Sequence, residues 1–452
     1  MSSQRSADGI HELARHVVSL ARADEQVEVY AARGRSTTVR VHAGQVESIR
    51  SGDSTGVGIR VVRAGRQGFA SAGTLDREIA FETLDEARSN AALAEPDDDV
   101  GLVEPDGVGF PELELFSPDL LTLTDETRIN NALLVEHIVL GLDPRIDGVR
   151  VAAFSDAWGE ASIVSTQGVD VWSKGGSCSV SVAPLAREGD DTQIGSGVHA
   201  VRSPLDIDIE FAANDGVERA LSMLGATKPE SGRVAALFDA RVSASLMGIV
   251  AGTLSGDRVN RGRSPFGDRL GEIIASPLLT IVDDPTDGSS LAADIHDGEG
   301  LAARRNVLID AGQLDRFLYH SESARRAGTS STGSAVRGSR STPAVGVLSL
   351  VVGPGSTPNA ELVSSVGEGV LVEAVNGLHS GVNAISGDIS VGVRGRMIRN
   401  GQLAEPIREA TMATTLQRML LDITAVGSEV EVLPGGVRSV PMVVDSVSLS
   451  GK

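Results

Sequence analysis

Residues 11–16, with the sequence HELARH, have the types and the spacing of a zinc-binding HExxxH motif. Histidine nitrogens are common zinc ligands, and a neighbouring glutamate can take a proton from zinc-bound water. On a regular helix, residues five positions apart point about 140° away from each other, so this spacing alone does not bring both imidazoles to one ion. No third ligand is indicated nearby. We therefore interpret His11 and His16 as surface histidines on an amphipathic helix.

A second group of possible metal ligands lies between residues 283 and 299. The segment has one histidine and six carboxylates, and the residues considered as ligands are His296, Asp283, Asp284, Asp294, Asp297 and Glu299. Nitrogen and oxygen ligands of this kind can bind divalent cations. The same density of Asp, Gly and Ser is also typical of turns. We expect a structured turn, and the alternative that stays open is a metal site that would make the chain a self-sufficient hydrolase.

A third group, His379, Ser380 and Asp388, has the residue types of a nucleophilic triad. Closeness in sequence does not give the geometry that such a triad needs. The repeated Ser and Gly residues around these positions are typical of turns. We therefore expect two strands joined by a tight turn over residues 377–393, without a triad.

Hydrophobic periodicity predicts the elements that must position these residues. Helices are predicted at 8–23, 75–95, 123–142, 205–224, 242–254 and 411–425. Strands are predicted at 26–33, 36–43, 45–50, 55–64, 67–72, 147–155, 159–166, 169–173, 177–187, 234–238 and 442–449. A hairpin is expected at 302–319, and a second one turns at Asn400-Gly401.

The order of these elements predicts an α+β fold with three domains. Two helix–β-meander–helix modules are expected at residues 1–110 and 111–228, and a larger strand-rich domain at 229–452. An acidic segment rich in Pro and Gly, residues 95–107, separates the two modules. Its aspartates at 97–99 lack the ligand spacing of an EF-hand, so we interpret the segment as a solvated linker.

Composition limits the classes of partner. The chain has 40 Lys and Arg residues against 61 Asp and Glu residues, a formal net charge of −21. Nucleic acids and anionic membranes are bound through basic surfaces, so neither is expected as a partner. No apolar run reaches the length of a membrane span or a signal peptide, and we expect a cytoplasmic location. The single cysteine, Cys178, excludes an intrachain disulfide and is predicted to be a small strand residue.

A more specific pattern begins in the predicted helix at 242–254. The helix is followed by LSGD at 254–257, NR at 260–261, SPFGDRLGE at 264–272 and TIVDD at 280–284. A second pattern, GLHSGVNAISGDIS, covers residues 377–390. Together these patterns resemble the TldD/PmbA family of metalloproteases, and the second is similar to PmbA-type members.

The resemblance also implies which residues are missing. In the catalytic branch of the family, a helix with HExxxH runs into the same turn, and those positions fall here on Met247, Gly248 and Gly252. The third ligand of that branch is a cysteine near the C-terminus, whereas residues 425–452 contain none. Neither glycine nor a buried thioether is a good zinc ligand. The resemblance therefore implies the non-catalytic branch, PmbA/TldE, with no metal in this chain.

For function, the resemblance implies a subunit that pairs with a zinc-containing, TldD-like catalytic chain. The pair would enclose a chamber and cleave unfolded or small peptides in extended form. A maturation scaffold or enzyme in the biosynthesis of peptide natural products, with a homodimer as one form of it, stays open as an alternative. The candidates for contact with the peptide or the partner are Arg258, Asn260, Arg337, His379, Asn383 and Asp388.

Overall fold

The computed structural model describes residues 4–452, with side chains from residue 9 onward. Its helices are α1 (Gln4–Val18), α2 (Arg77–Leu93), α3 (Asp125–Leu142), α4 (Ile209–Leu221), α5 (Ala240–Thr253), α6 (Gly256–Asn260), α7 (Ser321–Arg326), α8 (Asn359–Ser365), α9 (Leu378–Gly381) and α10 (Leu416–Leu421). The first five correspond to predicted helices. No helix in the described part of the chain is both long and apolar enough to span a membrane.

The strands of the N-terminal half are β1 (Gln26–His42), β2 (Gln45–Arg63), β3 (Arg66–Ala72), β4 (Ile146–Ser165), β5 (Asp170–Glu188), β6 (Asp191–Ile194) and β7 (Gly197–Val201). Those of the C-terminal half are β8 (Gly232–Phe238), β9 (Ile281–Asp283), β10 (Asn306–Asp310), β11 (Gln313–Leu314), β12 (Ala335–Val336), β13 (Ala344–Val345), β14 (Leu350–Val352), β15 (Glu368–Asn376), β16 (Asp388–Arg399), β17 (Gln402–Thr415), β18 (Ile423–Val426), β19 (Glu431–Val432), β20 (Arg438–Ser439) and β21 (Met442–Ser450). The α+β class and the two helix–meander–helix modules are confirmed.

The two modules share one sheet. Its order is β3-β2-β1-β4-β5-β6, with β7 on β5, and the modules meet where β1 runs antiparallel to β4. Helices α1 and α2 pack on one half through an apolar core that includes Val17, Val29 and Leu84. Helices α3 and α4 pack on the other half around Val139 and Phe154. The modules are therefore joined edge to edge.

The strands of this sheet are longer than predicted. The expected breaks near residue 34 and near residues 51–54 do not exist, because β1 and β2 stay paired through both. Gly34 lies opposite Ser54 on one side and Gly159 on the other, and a Cβ at this position would come 2.7 Å from the carbonyl oxygen of Trp158. The glycine marks a close approach of two backbones rather than a turn.

The C-terminal domain contains two six-stranded sheets. One has the order β17-β16-β15-β8-β21-β18 and closes on itself through pairing of β17 with β21. The other has the order β11-β10-β9-β14-β20-β19. Helix α5 contacts β8 and β15 of the first sheet and β14 and β20 of the second. The largest apolar core of the chain surrounds this helix.

The predicted helix at 411–425 is wrong. Strand β17 continues to Thr415, and only residues 416–421 are helical. Met412 lies opposite Val391 of β16 and Leu449 of β21. The apolar residues that suggested a helix are buried, but pairing with two neighbouring strands decides the conformation of the first part.

Candidate functional site

Helix α5 is positioned by a cap and by its apolar face. The Asp239 carboxylate accepts a 2.7 Å hydrogen bond from the backbone N–H of Val242 and so caps the N-terminus. Leu246, Val250 and Leu254 are fully buried in the large core. These residues are spaced so that they lie on one face of the helix, and this face packs on the core as the sequence predicted.

The three positions that align with the zinc motif carry no zinc-binding chemistry. Met247 is fully buried among apolar residues. Gly248 and Gly252 lie one turn apart on a half-buried face. A Cβ at Gly252 would meet no atom within 4 Å, and one at Gly248 would meet only Leu350, at 3.8 Å. The face has room for side chains, yet the residues present do not fit a zinc ion.

The turn after α5 is helical rather than open. Residues 256–260 form α6, and the N–H of Gly256 donates to the carbonyl oxygen of Leu318 at 2.7 Å. A Cβ at Gly256 would lie 2.1 Å from the Tyr319 ring, so glycine is needed here. The Asn260 side chain donates to the carbonyl oxygen of Ser323 at 2.9 Å and ties α6 to α7. Arg258 is exposed.

The Asp283 carboxylate holds the backbone of residues 348–349 in place. Its Oδ1 atom accepts hydrogen bonds from the N–H groups of Leu348 at 2.9 Å and Ser349 at 2.7 Å. Its Oδ2 atom is buried and has no hydrogen-bond partner among the described residues. Burial, assisted by the nearby charge of Asp284, raises the pKa of Asp283 to about 7. Burial therefore favours the protonated form of this carboxyl.

The rest of the acidic segment is a structured turn, as predicted. Asp297 accepts hydrogen bonds from the N–H groups of Glu299, Leu301 and Ala335, at 2.9, 3.0 and 3.0 Å. Burial, with the charge of Glu299, raises the pKa of Asp297. The Nδ1 atom of His296 lies 2.8 Å from the backbone oxygen of Asp297. Across the described side chains, no three His, Cys, Asp or Glu residues are grouped so that they could hold a metal ion.

A buried ion cluster connects the C-terminal domain with the N-terminal sheet. Arg337 forms an ion pair with Glu28 of β1, and both side chains are buried. Arg60 of β2 lies 3.6 Å from Glu28 and 3.8 Å from Glu299, which itself accepts a 2.8 Å hydrogen bond from the N–H of Ser321. We refer to Glu28, Arg60, Glu299 and Arg337 as the interdomain ion cluster.

This burial corrects one candidate for contact with the peptide or the partner. The Arg337 side chain has no exposed surface, and its guanidinium lies 5.1 Å from the centre of the Tyr30 ring. It contacts the N-terminal sheet of its own chain. No sequence pattern indicates this role, because Glu28 and Arg337 are 309 residues apart.

The segment 377–388 does not form the predicted strand pair at its start. Residues 378–381 make one helical turn, α9, and His379, Asn383 and Asp388 are exposed. The Asn383 Oδ1 atom accepts from the N–H of Ile385, and the Ser386 hydroxyl donates to Asp388 at 2.6 Å. These are turn-forming contacts. Ser380 donates to the carbonyl oxygen of Gly377, so its hydroxyl serves the same local turn.

The literal HExxxH of α1 does not bring its histidines together. His11 lies between Ser162, at 2.7 Å, and Asp170, at 2.9 Å. His16 stacks on Phe81 of α2 with ring centres 5.3 Å apart. Both histidines are half-buried rather than on the open surface, because α1 packs against the sheet and against α2.

Cys178 is a buried strand residue, as predicted. It lies on β5 in the core beneath α3 and α4. Burial, with smaller effects of Asp156 and Asp206, raises the pKa of its thiol to about 12. The thiol therefore stays protonated and is a poor nucleophile and a poor metal ligand.

Comparison with known proteins gives matches along most of the chain. The family models described as PmbA/TldA metallopeptidase domain 1, central domain and C-terminal domain match residues 27–91, 118–224 and 231–451. The chain is 27% identical to "Metalloprotease PmbA" of Escherichia coli O157:H7 over 412 residues, which is 89% of this chain and 88% of that protein. It is also 27% identical to "Metalloprotease PmbA homolog" of Haemophilus influenzae, over 95% of this chain and 92% of that protein.

The fold is similar to that of a solved structure, TldE from Thermococcus kodakarensis. The TM-score is 0.89 at 23% identity, with 98% of this chain and 100% of that chain covered.

We predict that Asp283→Asn changes how stability depends on pH. The pKa of Asp283 is raised from 3.8 to about 7, so between about pH 4 and pH 7 the folded chain keeps a proton that the unfolded chain releases. The free energy of unfolding therefore falls as pH rises through this window. Asparagine keeps the Oδ1 acceptor and cannot ionise, so the variant should gain stability relative to wild type from pH 4 to pH 8.

Thermal unfolding at pH 4 to 8 measures this effect. Asp268→Asn, at an exposed carboxylate without a hydrogen bond or ion pair among the described residues, is the control and should follow the wild-type profile. If the stability of Asp283→Asn depended on pH as that of the wild type does, the raised pKa of Asp283 would be contradicted.

We predict that Arg337→Ala destabilises the chain. The change leaves the buried carboxylate of Glu28 without its closest partner, and breaking a buried ion pair in this way costs about 3–5 kcal/mol. Urea unfolding measures the loss. Arg340→Ala is the matched control, because Arg340 is an exposed arginine of the same segment and its removal should change stability by at most about 0.5 kcal/mol. Equal losses in the two variants would exclude a special role for Arg337.

Proposed function

The chain belongs to the PmbA/TldD metallopeptidase family, and from this premise we propose that it is the non-catalytic subunit of a TldD/TldE-type metalloprotease complex. One observation carries the proposal: helix α5 and its turn are folded, while Met247, Gly248 and Gly252 offer no ligand or base. A zinc peptidase needs a set of N, O or S ligands and an open position for water. A second chain must therefore supply the metal and the proton-transfer groups.

The proposed partner is a TldD-like catalytic subunit in a heterodimer. Zinc and the glutamate base would belong to that partner. The likeness to a solved protein named TldE agrees with this division of roles. Arg258, Asn260, His379, Asn383 and Asp388 are exposed, and they remain our candidates for contact with the partner or the peptide.

We propose that this chain contributes one wall of the chamber that holds an extended peptide. A cleft of about 640 Å³ lies between the N-terminal sheet and the C-terminal domain, where Gly34, Trp158 and Gly159 face Asp294 and Arg340. At Gly159 a Cβ would meet only the carbonyl oxygen of Arg33, at 3.7 Å, so the strand backbone is uncovered there and an extended chain can approach closely. The charged side chains on the opposite side would set the peptide's direction rather than cleave it.

The complex would act in the cytoplasm. The chain's one cysteine is buried and cannot form an intrachain disulfide, so its stability does not depend on an oxidising compartment.

We predict that the purified chain has no peptidase activity and no stoichiometric zinc, and that cleavage appears only after a TldD-like subunit is added. The reason is the missing ligand set on α5. Metal content by mass spectrometry and cleavage of casein or of a short peptide, with each subunit alone and with the mixture, measure this. Stoichiometric zinc together with activity in the isolated chain would contradict the proposal and would direct attention to Asp283, Asp284 and His296.

We predict that Gly248→Ala and Gly252→Ala each stabilise the chain and leave the activity of the mixture unchanged. Alanine is favoured over glycine in a helix by about 0.5–1 kcal/mol, and both positions have room for a Cβ. Met247→Ala is the contrast, because it empties a fully buried site and should cost about 2–5 kcal/mol. Urea unfolding and the peptide-cleavage assay measure these effects. Loss of activity in the alanine variants would show that this helix face does take part in the reaction.

A further inference from the structure

A cavity of about 590 Å³ lies between the middle module and the C-terminal domain. It is bordered by the start of β4, the end of α4, the first turn of α5, and strands β15 and β16. Its volume is in the range of small-molecule sites. It is separate from the three substituted positions of α5 and from the cleft proposed for the peptide, because none of the residues at either place lines it.

Four arginines line this cavity: Arg150, Arg219, Arg241 and Arg394. This is unusual in a chain with a net charge of −21, where a carboxylate partner is available for most arginines. We call these four residues the arginine pocket.

Two of the four arginines are neutralised. Arg219 lies 2.9 Å from Asp215 and 3.1 Å from Asp239. Arg241 lies 2.5 Å from the same Asp215. Glu431 interacts electrostatically with these two arginines and two aspartates, and burial raises the pKa of Glu431. These contacts fix Arg219 and Arg241 in the wall of the pocket without an excess of positive charge.

The other two arginines have no carboxylate partner among the described residues. Arg150 is exposed and forms no ion pair there. The Nε atom of Arg394 is buried and has no hydrogen-bond partner in the part of the chain that the structure describes. Among the described residues of the lining, Glu373 is the one acidic side chain, and it is paired with Arg396 at 2.7 Å. Two positive charges in the pocket are therefore uncompensated.

An uncompensated, partly buried guanidinium is unfavourable, because burial removes water without supplying an acceptor. Guanidinium groups pair with carboxylate and phosphate oxygens through parallel hydrogen bonds. We propose that the arginine pocket binds an oxyanion, carried by a small molecule or by the end of a peptide, between Arg150 and Arg394. The pocket lies wholly within this chain, so the site does not depend on the proposed function or on a partner subunit.

The first test is stabilisation by inorganic phosphate. Thermal unfolding of the full chain is followed in increasing phosphate, with sodium chloride of equal ionic strength as reference. A ligand that binds only the folded state raises the melting temperature. We expect phosphate to raise it above the chloride reference, and we expect Arg394→Gln and Arg150→Gln each to weaken the apparent affinity about ten-fold or more, since each removes a charge-assisted hydrogen bond to the anion.

Arg50→Gln is the control, because Arg50 is an exposed arginine on β2 without an ion pair among the described residues. It should respond to phosphate as the wild type does. Because Arg150 is exposed, Arg150→Gln keeps the test valid even if Arg394→Gln does not fold.

A second arm separates the two sources of the oxyanion. Calorimetric titration compares trialanine having a free C-terminal carboxylate with its C-terminal amide. Binding of the acid alone, reversed by phosphate, would identify a peptide terminus as the ligand. Binding of phosphate alone would identify a free small anion. If neither probe binds, or if binding is equal in wild type, Arg150→Gln and Arg394→Gln, the proposed site is refuted.

Discussion

The interdomain ion cluster is the constraint on which the arrangement of the two halves depends. Glu28 and Arg60 come from neighbouring strands of the N-terminal sheet, and Glu299 and Arg337 come from loops of the C-terminal domain. Charges removed from water are tolerated only when they are paired with good geometry, so these four side chains must meet when the two halves pack together. The sheet, the acidic turn and the segment around residue 337 are thereby held in one arrangement. The cleft between the N-terminal sheet and the C-terminal domain results from this arrangement.

Within that frame, α5 is well folded, but residues 247, 248 and 252 supply no zinc ligand and no general base. The helix is capped by Asp239 and surrounded by the largest core, which explains why it stays folded without metal. Met247 contributes to that core, while Gly248 and Gly252 leave an open face. The cap and the packed face that would hold zinc-ligand side chains in position on a helix are both present here.

The acidic segment and the arginine pocket of this chain differ in how their charges are satisfied. Most carboxylates of the 283–299 segment hold backbone N–H groups rather than an ion, which explains why their density in the sequence resembled a metal site. The arginine pocket shows the opposite pattern, since Arg150 and Arg394 face a cavity without a carboxylate partner among the described residues. Hydrogen bonds from the backbone thus satisfy the carboxylates of the 283–299 segment, and a bound anion would satisfy Arg150 and Arg394.

Residue identity and near neighbours in the chain are enough to predict a first set of features. These are the α+β class, five of the helices, the turn at Asn400-Gly401 and the absence of zinc ligands at 247, 248 and 252. Tertiary structure alone decided the rest. Residues 411–415 became strand because β16 and β21 pair with them, the breaks expected in β1 and β2 vanished because both strands stay paired, and Arg337 found Glu28 across 309 residues. The physical reason is that periodicity records local preference, whereas strand pairing and buried ion pairs gain their energy from residues that are distant in the chain.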